Sequence, residues 1–329
     1  MIISKTPYRI SFFGGGTDYP EWYNKYDGQV VSTTIDKYIY IFCKNLPKFF
    51  DYKYRFCYSK IETVNNLKEI NHKAFKKIIT YLNVKEGIDI HYNGELPARS
   101  GMASSSAFTV GLLNALNELN KKKIKNEELA KQSIYFEQKV LKEVVGCQDQ
   151  IATSIGGFNI INIQKNAKFN IESINKKKFL NQLNQSLVLV FTGINRTAND
   201  IAESYVKDLT TSKKKYIKEI ALLTRYAIKS IKENNLNDFG KLLGESWMLK
   251  KKLSKLVSND TIDYIYKLGI DNGASGGKVL GAGGGGFILF FVPLNEREKF
   301  IKKFKKFTII PFNFEKDGSQ IIMNTNNKN

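Results

Sequence analysis

The sequence predicts a two-domain protein of the α+β class, on three observations. At 329 residues, with 42% hydrophobic and 25% charged side chains, the chain has ordinary globular composition and exceeds what one small core holds. Strand-like and helical segments alternate through the first half. A polar stretch rich in Asn and Lys, 164–184, separates that half from a second series opening with an apolar strand, so the domains are set at 1–175 and 176–329.

In chain order, strands are expected over 2–13, 30–43, 52–58 and 88–92, and helices over 66–82 and 104–120. A further helix starts at Asn126, whose side chain suits an N-cap, and stops near Gly146, ahead of a short segment at 148–155 and a strand at 158–163. In the second half 187–191 reads as a strand. The helix 212–234 carries Ile217, Ile220, Leu223, Ala227 and Ile231 on one side, which makes its lysines a solvated face rather than a binding surface. The apolar run 287–292 is too short to span a bilayer. The first 13 residues include Lys5 and Arg9 and show no cleavage pattern, so neither a membrane anchor nor export is expected.

The 51 Lys and Arg against 31 Asp and Glu leave a formal charge of +20. Only six of the cations are Arg, and Arg is the residue suited to bidentate reading of bases and phosphates, so the charge is discounted as a nucleic-acid signal. Cys43, Cys57 and Cys147 form no CxxC, and His72 and His91 have no ligand spacing. A disulfide framework and a zinc site are therefore not expected, and a reducing cytoplasm fits.

Three glycine-containing loops carry the chemistry. In the first, the strand ending at Phe13 runs into Gly14, Gly15, Gly16, Thr17 and Asp18, a turn that lets backbone approach a ligand; capping of the helix-like segment 20–25 by Asp18 is the alternative. In the second, 96–107 joins a strand to an apolar helix. Unpaired N–H groups at that helix start, together with serine hydroxyls, suit phosphate oxygens; Ser104 could equally cap the helix. The third, 276–287, contains GxGxxG at Gly281, Gly283 and Gly286 but leads into a strand, so a dinucleotide fingerprint is rejected. Lys278 is followed by Val279, which removes a Walker A loop.

Among the carboxylates, Glu137 points along a mostly apolar helix face and needs a partner, either a metal ion or a lysine, with Glu143 a rival nearby. Asp149 follows a helix end and suits either a cap or a catalytic base. Arg9, a charge in an apolar strand, must pair with an exposed acid or with Asp149.

In this order the loops and carboxylates resemble the galactokinase, homoserine kinase, mevalonate kinase and phosphomevalonate kinase (GHMP) superfamily over nearly the whole chain. Pro7-Tyr8-Arg9-Ile10 with Gly14 to Asp18 is similar to its first motif, 96–107 to its phosphate-binding motif and 276–287 to its third. Within it, RISFFGGGTDYPEWY, LPARSGMASSSAF, GCQDQIA, FTGINRTA and GASGGKVLGAGGGGF look most like the D-glycero-D-manno-heptose 7-phosphate kinases, with fucokinases as relatives. Two departures stand out. Gly15-Gly16 replaces the Glu-His pair usual in galactokinases, which argues against galactose. Met102-Ala103 replaces the usual Leu-Gly, so a Cβ at 103 must crowd phosphate or sit at a positive φ.

The resemblance implies a first domain like that of a small-subunit ribosomal protein, a ferredoxin-like α/β second domain, and a site in the cleft between them. It implies ATP-dependent phosphorylation of the anomeric O1 of a heptose 7-phosphate, giving the 1,7-bisphosphate for nucleotide-activated heptose used in surface polysaccharide. Asp149 would be the base and Arg9 its neighbour, stabilising the moving phosphoryl group. Arg99, Ser100, Gly101, Met102, Ala103, Ser104, Ser105 and Ser106 would wrap the phosphates of ATP, with Ser105 and Glu137 holding Mg2+. Gly15, Gly16, Thr17, Asp18, Gly283 and Gly284 would line the sugar site. Arg196 would anchor the substrate's phosphate, with Lys5 and Lys250, Lys251 and Lys252 behind it. The expected partners are thus ATP and a sugar phosphate, with no nucleic acid and no membrane, and the oligomeric state is left open. A basic RNA-binding protein is the reading of another class; it explains neither the phosphate loop nor Asp149.

Overall fold

In the computed structural model, residues 1–195 and 198–325 are described. The strands are β1 (Ile2–Phe13), β2 (Gly28–Asn45), β3 (Tyr54–Cys57), β4 (Ile61–Val64), β5 (Ile88–Gly94), β6 (Phe158–Gln164), β7 (Lys168–Ser173), β8 (Leu187–Phe191), β9 (Gly276–Val279), β10 (Phe287–Phe291), β11 (Ile309–Ile310), β12 (Phe314–Glu315) and β13 (Gln320–Asn324). The helices are α1 (Pro20–Tyr23), α2 (Lys73–Tyr81), α3 (Ser104–Leu119), α4 (Asn126–Tyr135), α5 (Gln148–Ile155), α6 (Lys177–Ser186), α7 (Ala198–Glu203), α8 (Lys214–Lys232), α9 (Leu236–Lys251), α10 (Asp260–Asp271) and α11 (Arg297–Lys303).

The first sheet runs β13-β1-β2-β5-β3-β4, with β6 and β12 also on β2 and β7 beyond β6. β1 is buried along nearly its whole length, polar Ser4, Thr6, Arg9 and Ser11 included, because it lies between β13 and β2 inside the sheet. α3 is buried almost all round, and its apolar residues join those of β1 and β2 in one core. The second sheet runs β11-β8-β10-β9, all neighbours antiparallel. With α8, α9 and α10 between β8 and β9, and α11 between β10 and β11, this is the ferredoxin-like βαββαβ order. Phe239 of α9 joins the two layers: its ring lies 5.3 Å from Phe12 and 5.1 Å from Phe13, at the end of β1.

Several expectations are corrected. The helix expected over 66–82 is helical only from Lys73, because Asn66 and Glu69 close a separate capped 3-10 turn and His72 caps α2. The helix expected over 126–146 is α4, with Lys125 rather than Asn126 at the N-cap, followed by a π-helical turn at Phe136–Leu141 that ends at Lys142 in left-handed backbone, φ 58°. The polar stretch 164–184 is structured: β7 pairs with β6, and α6 follows. The end of the chain, placed by sequence in the second domain, returns to the first sheet, where β13 pairs with β1 and β12 with β2. Without β13 the outer edge of β1 would be left open to water. No helix among the described residues is long and apolar enough to cross a membrane.

Candidate active site

The two layers enclose a cleft of about 370 Å³ walled by residues from all three glycine loops. Its first wall is the turn after β1. Gly14 and Gly16 adopt φ of +83° and +105°, and a Cβ on Gly14 would stand 1.9 Å from the Gln29 carbonyl, so only glycine fits. Gly15, Gly16 and Asp18 face the cleft. Thr17 does not. It is fully buried, its hydroxyl donating to the Gly14 carbonyl (2.8 Å) and accepting from the Gln29 N–H (3.1 Å), which locks the turn and leaves nothing for a sugar hydroxyl. Asp18 does not cap α1, whose N-cap is Tyr19. Its Oδ1 accepts from the Gly16 N–H at 2.9 Å, and burial pushes its carboxyl up to about 6.

The second wall is the loop before α3. Arg99, Gly101, Ala103, Ser104, Ser105 and Ser106 reach the cleft, whereas Ser100 and Met102 are buried beneath it. The helix N-terminus and its unpaired N–H groups point into this space, the arrangement that binds anions. Ala103, not Ser104, occupies the N-cap, in left-handed backbone with φ 64° and ψ 29°. The Ser104 hydroxyl accepts from the Arg99 N–H at 3.2 Å.

The third loop docks on the second. A Cβ on Gly281 would lie 2.6 Å from the Gly101 Cα, and one on Gly286 would lie 2.1 Å from the Ser100 carbonyl, so backbone meets backbone across the domain junction. Gly281 and Ala282 face the cleft. Gly283 and Gly284 lie outside its wall: Gly283 packs on Val257, and the Gly284 N–H donates to the Val257 carbonyl at 2.7 Å. They build the junction rather than the sugar site.

Between these walls Arg9, only 4% exposed, holds both oxygens of Asp149, Nε to Oδ1 at 2.8 Å and an Nη to Oδ2 at 2.7 Å, while its other Nη donates to the Gly101 carbonyl at 2.7 Å. The pairing left open by sequence is thus Arg9 with Asp149, and Asp149 sits in the first turn of α5 with 29% of its side chain exposed toward the cleft. Lys250 and Lys278 complete the floor. Lys250 donates to the Gly281 carbonyl, and burial, reinforced by Arg9, pulls its ammonium down to about 8. Lys278 donates to the Phe12 carbonyl at 2.7 Å, and its burial pulls it well below the ordinary lysine range. Lys278 was considered from sequence only as a Walker A lysine and not as a site residue, although it carries the signal that marked Arg9, a lone charge in an apolar and glycine-rich run.

Glu137 lies behind the wall, fully buried in the π-helical turn, and burial followed by the nearby Glu143 raises it to about 7. Its Oε2 accepts from the Ser106 hydroxyl at 2.9 Å and from the Gln150 amide, and the Thr109 hydroxyl also acts on the carboxylate; among the described residues Oε1 and the Gln150 Oε1 are buried with no well-formed hydrogen bond. Two orphaned oxygens beside serine hydroxyls form an oxygen-only donor set, which fits a hard cation such as Mg2+. Ser106 is the serine hydroxyl in contact with Glu137; Ser105 is exposed on the cleft wall, which Glu143 also lines at intermediate burial. Arg196 lies outside the described residues. Lys5 lies away from the cleft, 3.9 Å over the Tyr38 ring.

Residues 67–157 match the GHMP kinases N terminal domain and residues 227–309 the GHMP kinases C terminal. The chain is 33% identical to the D-glycero-alpha-D-manno-heptose 7-phosphate kinase of Campylobacter jejuni, over 96% of this chain and 97% of that protein. It is 28% identical to the mevalonate kinase of Methanocaldococcus jannaschii, over 76% and 80% of the two chains. In fold it is similar to the crystal structure of a D-glycero-D-manno-heptose 1-phosphate kinase from Bacteroides thetaiotaomicron, with a TM-score of 0.79 at 22% identity, covering 98% of this chain and 99% of that one. Two matched domains in sequence order, and a relative matched from end to end, establish that the chain belongs to the GHMP kinase family.

Proposed function

We propose that this kinase transfers the γ-phosphoryl group of ATP to the anomeric O1 of a D-glycero-D-manno-heptose 7-phosphate, yielding the 1,7-bisphosphate. The observation that supports this reading is the Arg9–Asp149 pair, which lines the same cleft as the N-terminus of α3 and is tied to the loop before it by the bond from Arg9 to the Gly101 carbonyl. Its heptose specificity rests on likeness to the Campylobacter jejuni kinase. The phosphate loop binds the nucleotide through backbone N–H groups and the Ser104, Ser105 and Ser106 hydroxyls. Asp149, fixed in orientation by two bonds from Arg9, accepts the proton of O1. Asp18 accepts a hydrogen bond from a sugar hydroxyl. Glu137, Ser105, Ser106 and Gln150 would hold Mg2+, which when bound neutralises charge on the phosphate oxygens.

The test is ADP release with Mg-ATP against heptose 7-phosphate, unphosphorylated heptose, mannose, fucose, galactose and mevalonate. Turnover selective for the heptose phosphate is expected, and turnover confined to another acceptor overturns the substrate. Asp149→Asn should lower kcat roughly 100- to 10,000-fold while ADP still binds. Unchanged turnover removes the base from Asp149.

A further inference from the structure

The cations on the cleft floor are not equally free to meet a substrate. The guanidinium of Arg9 makes three protein hydrogen bonds, two to Asp149 and one to the Gly101 carbonyl, and Arg9 is almost wholly buried. Two of its five N–H donors are left over, but at 4% exposure the guanidinium is enclosed, and its fork serves to hold the base against the phosphate loop. Lys278 is 4% exposed and its ammonium lies on the Phe12 carbonyl, behind the turn of the first loop. Lys250 differs from both. It projects from the last turn of α9, is of intermediate burial where it lines the cleft, and among the described residues its ammonium has one acceptor, the Gly281 carbonyl. An ammonium carries three donors, so two remain.

That carbonyl locates the lysine. Gly281 packs on Gly101, the same residue whose carbonyl takes the Arg9 guanidinium. Lys250 therefore sits where the phosphate loop, the third loop and the Arg9–Asp149 pair converge, with Asp18 also within electrostatic range. A desolvated ammonium facing its neighbours Arg9 and Lys278 is costly in the free protein, and arrival of negative charge at that point relieves the cost.

We propose that Lys250, rather than Arg9, is the cation that contacts the phosphoryl group in flight. This rests on the kinase reading given above. In the step, the bond from the γ-phosphorus to the bridging oxygen of ADP breaks and the bond to the acceptor oxygen forms. The acceptor's proton passes to Asp149, and ADP leaves with the electron pair. Charge then lies on the three non-bridging oxygens of the moving group, where a preorganised donor in a closed cleft has its largest effect. Arg9 acts through Asp149 as a positioning residue.

Lys250→Met removes the charge at similar length, and Lys250→Arg keeps it. The Met variant should lose kcat by about 100- to 1,000-fold, with the KM for ATP and for the sugar held within about threefold, and the Arg variant should recover part of the rate. ADP affinity, measured by calorimetry, should be unchanged in both, and the extra affinity for ADP with aluminium fluoride should disappear only in Lys250→Met. Should the Met variant fail to fold, Lys250→Gln carries the same comparison. A kcat within threefold of wild type overturns the proposal. So does a loss confined to the KM of the phosphorylated sugar with the unphosphorylated sugar unaffected, which would make Lys250 the anchor of the acceptor's own phosphate. A wild-type protein silent on heptose phosphates refutes only the substrate; the same variants are then compared in acceptor-free ATP hydrolysis, where the lost rate is again expected.

Discussion

At the residue scale, Asp18 shows a cost kept for function. Its carboxyl is buried beside Gly146, where a Cβ would stand 1.9 Å from Oδ2, and in the free protein the N–H groups of Gly16 and of Asp18 itself act on it. Burial raises it from the ordinary 3.8 to about 6, so the folded chain takes up a proton as pH falls through about 6, before the unfolded chain does. The ligand-free protein therefore gains stability from this group between pH 6 and 4, and carries its full penalty above pH 7. Asp18→Asn should melt higher than wild type at pH 7.5, with the gap closing by pH 5, while the sugar KM rises at least tenfold. Thermal melts at the two pH values and steady-state kinetics check this; a variant that melts lower at pH 7.5 contradicts it. The wild-type sugar KM should likewise rise as pH falls below 6, where the acceptor carboxylate is lost.

At the scale of elements, the phosphate loop is held by contacts that its own sequence does not contain. Gly101 sits at φ +80° against the Leu280 carbonyl, and the Arg9 N–H donates to the Met102 carbonyl at 3.2 Å. Within this loop Ala103 carries a left-handed φ that costs an L-residue about 1 kcal/mol. Ala103→Gly should raise the Tm by a few degrees and lower the KM for ATP, because glycine adopts that φ without strain and removes a Cβ from the loop that faces the phosphates. A lower Tm or a weaker nucleotide KM would show that the methyl group packs favourably. The π-helical turn after α4 is the second such feature. One extra residue per turn rotates Glu137 inward onto Ser106 and Gln150 rather than along the helix face.

At the scale of the whole molecule, the cleft exists because the two layers are clamped together at edge-to-face aromatic contacts. Phe12 and Phe13 leave β1 and pack on Phe239 of α9, while the glycines of the second and third loops press backbone to backbone on the other side. Phe239→Ala should cost about 3–5 kcal/mol and lower kcat together with stability, since the walls of the site come from both sides of that joint. Urea unfolding followed beside activity checks it; full activity in a destabilised variant would show that the cleft does not depend on this clamp.

Much of this architecture could be read along the chain. Ile2–Phe13 and Leu187–Phe191 have the expected bounds, because β-branched and aromatic residues recurring up to glycine or polar residues mark a buried strand without help from the rest of the chain. The glycine loops were visible for a similar reason, since positive φ and close backbone approach leave few residue choices. Arg9 with Asp149 was one of two pairings open from sequence; other partners were not visible. The Thr17 hydroxyl is spent on Gly14 and Gln29, the returning strand β13 closes β1 from the far end of the chain, and Lys278 meets Phe12 across 266 positions. Local pattern decides which segments can be strand, helix or tight turn, because propensity and side-chain period act over a few residues. Which charge faces a cleft and which is consumed in building it depends on surfaces brought together only when the layers pack, and that was decided by the tertiary structure alone.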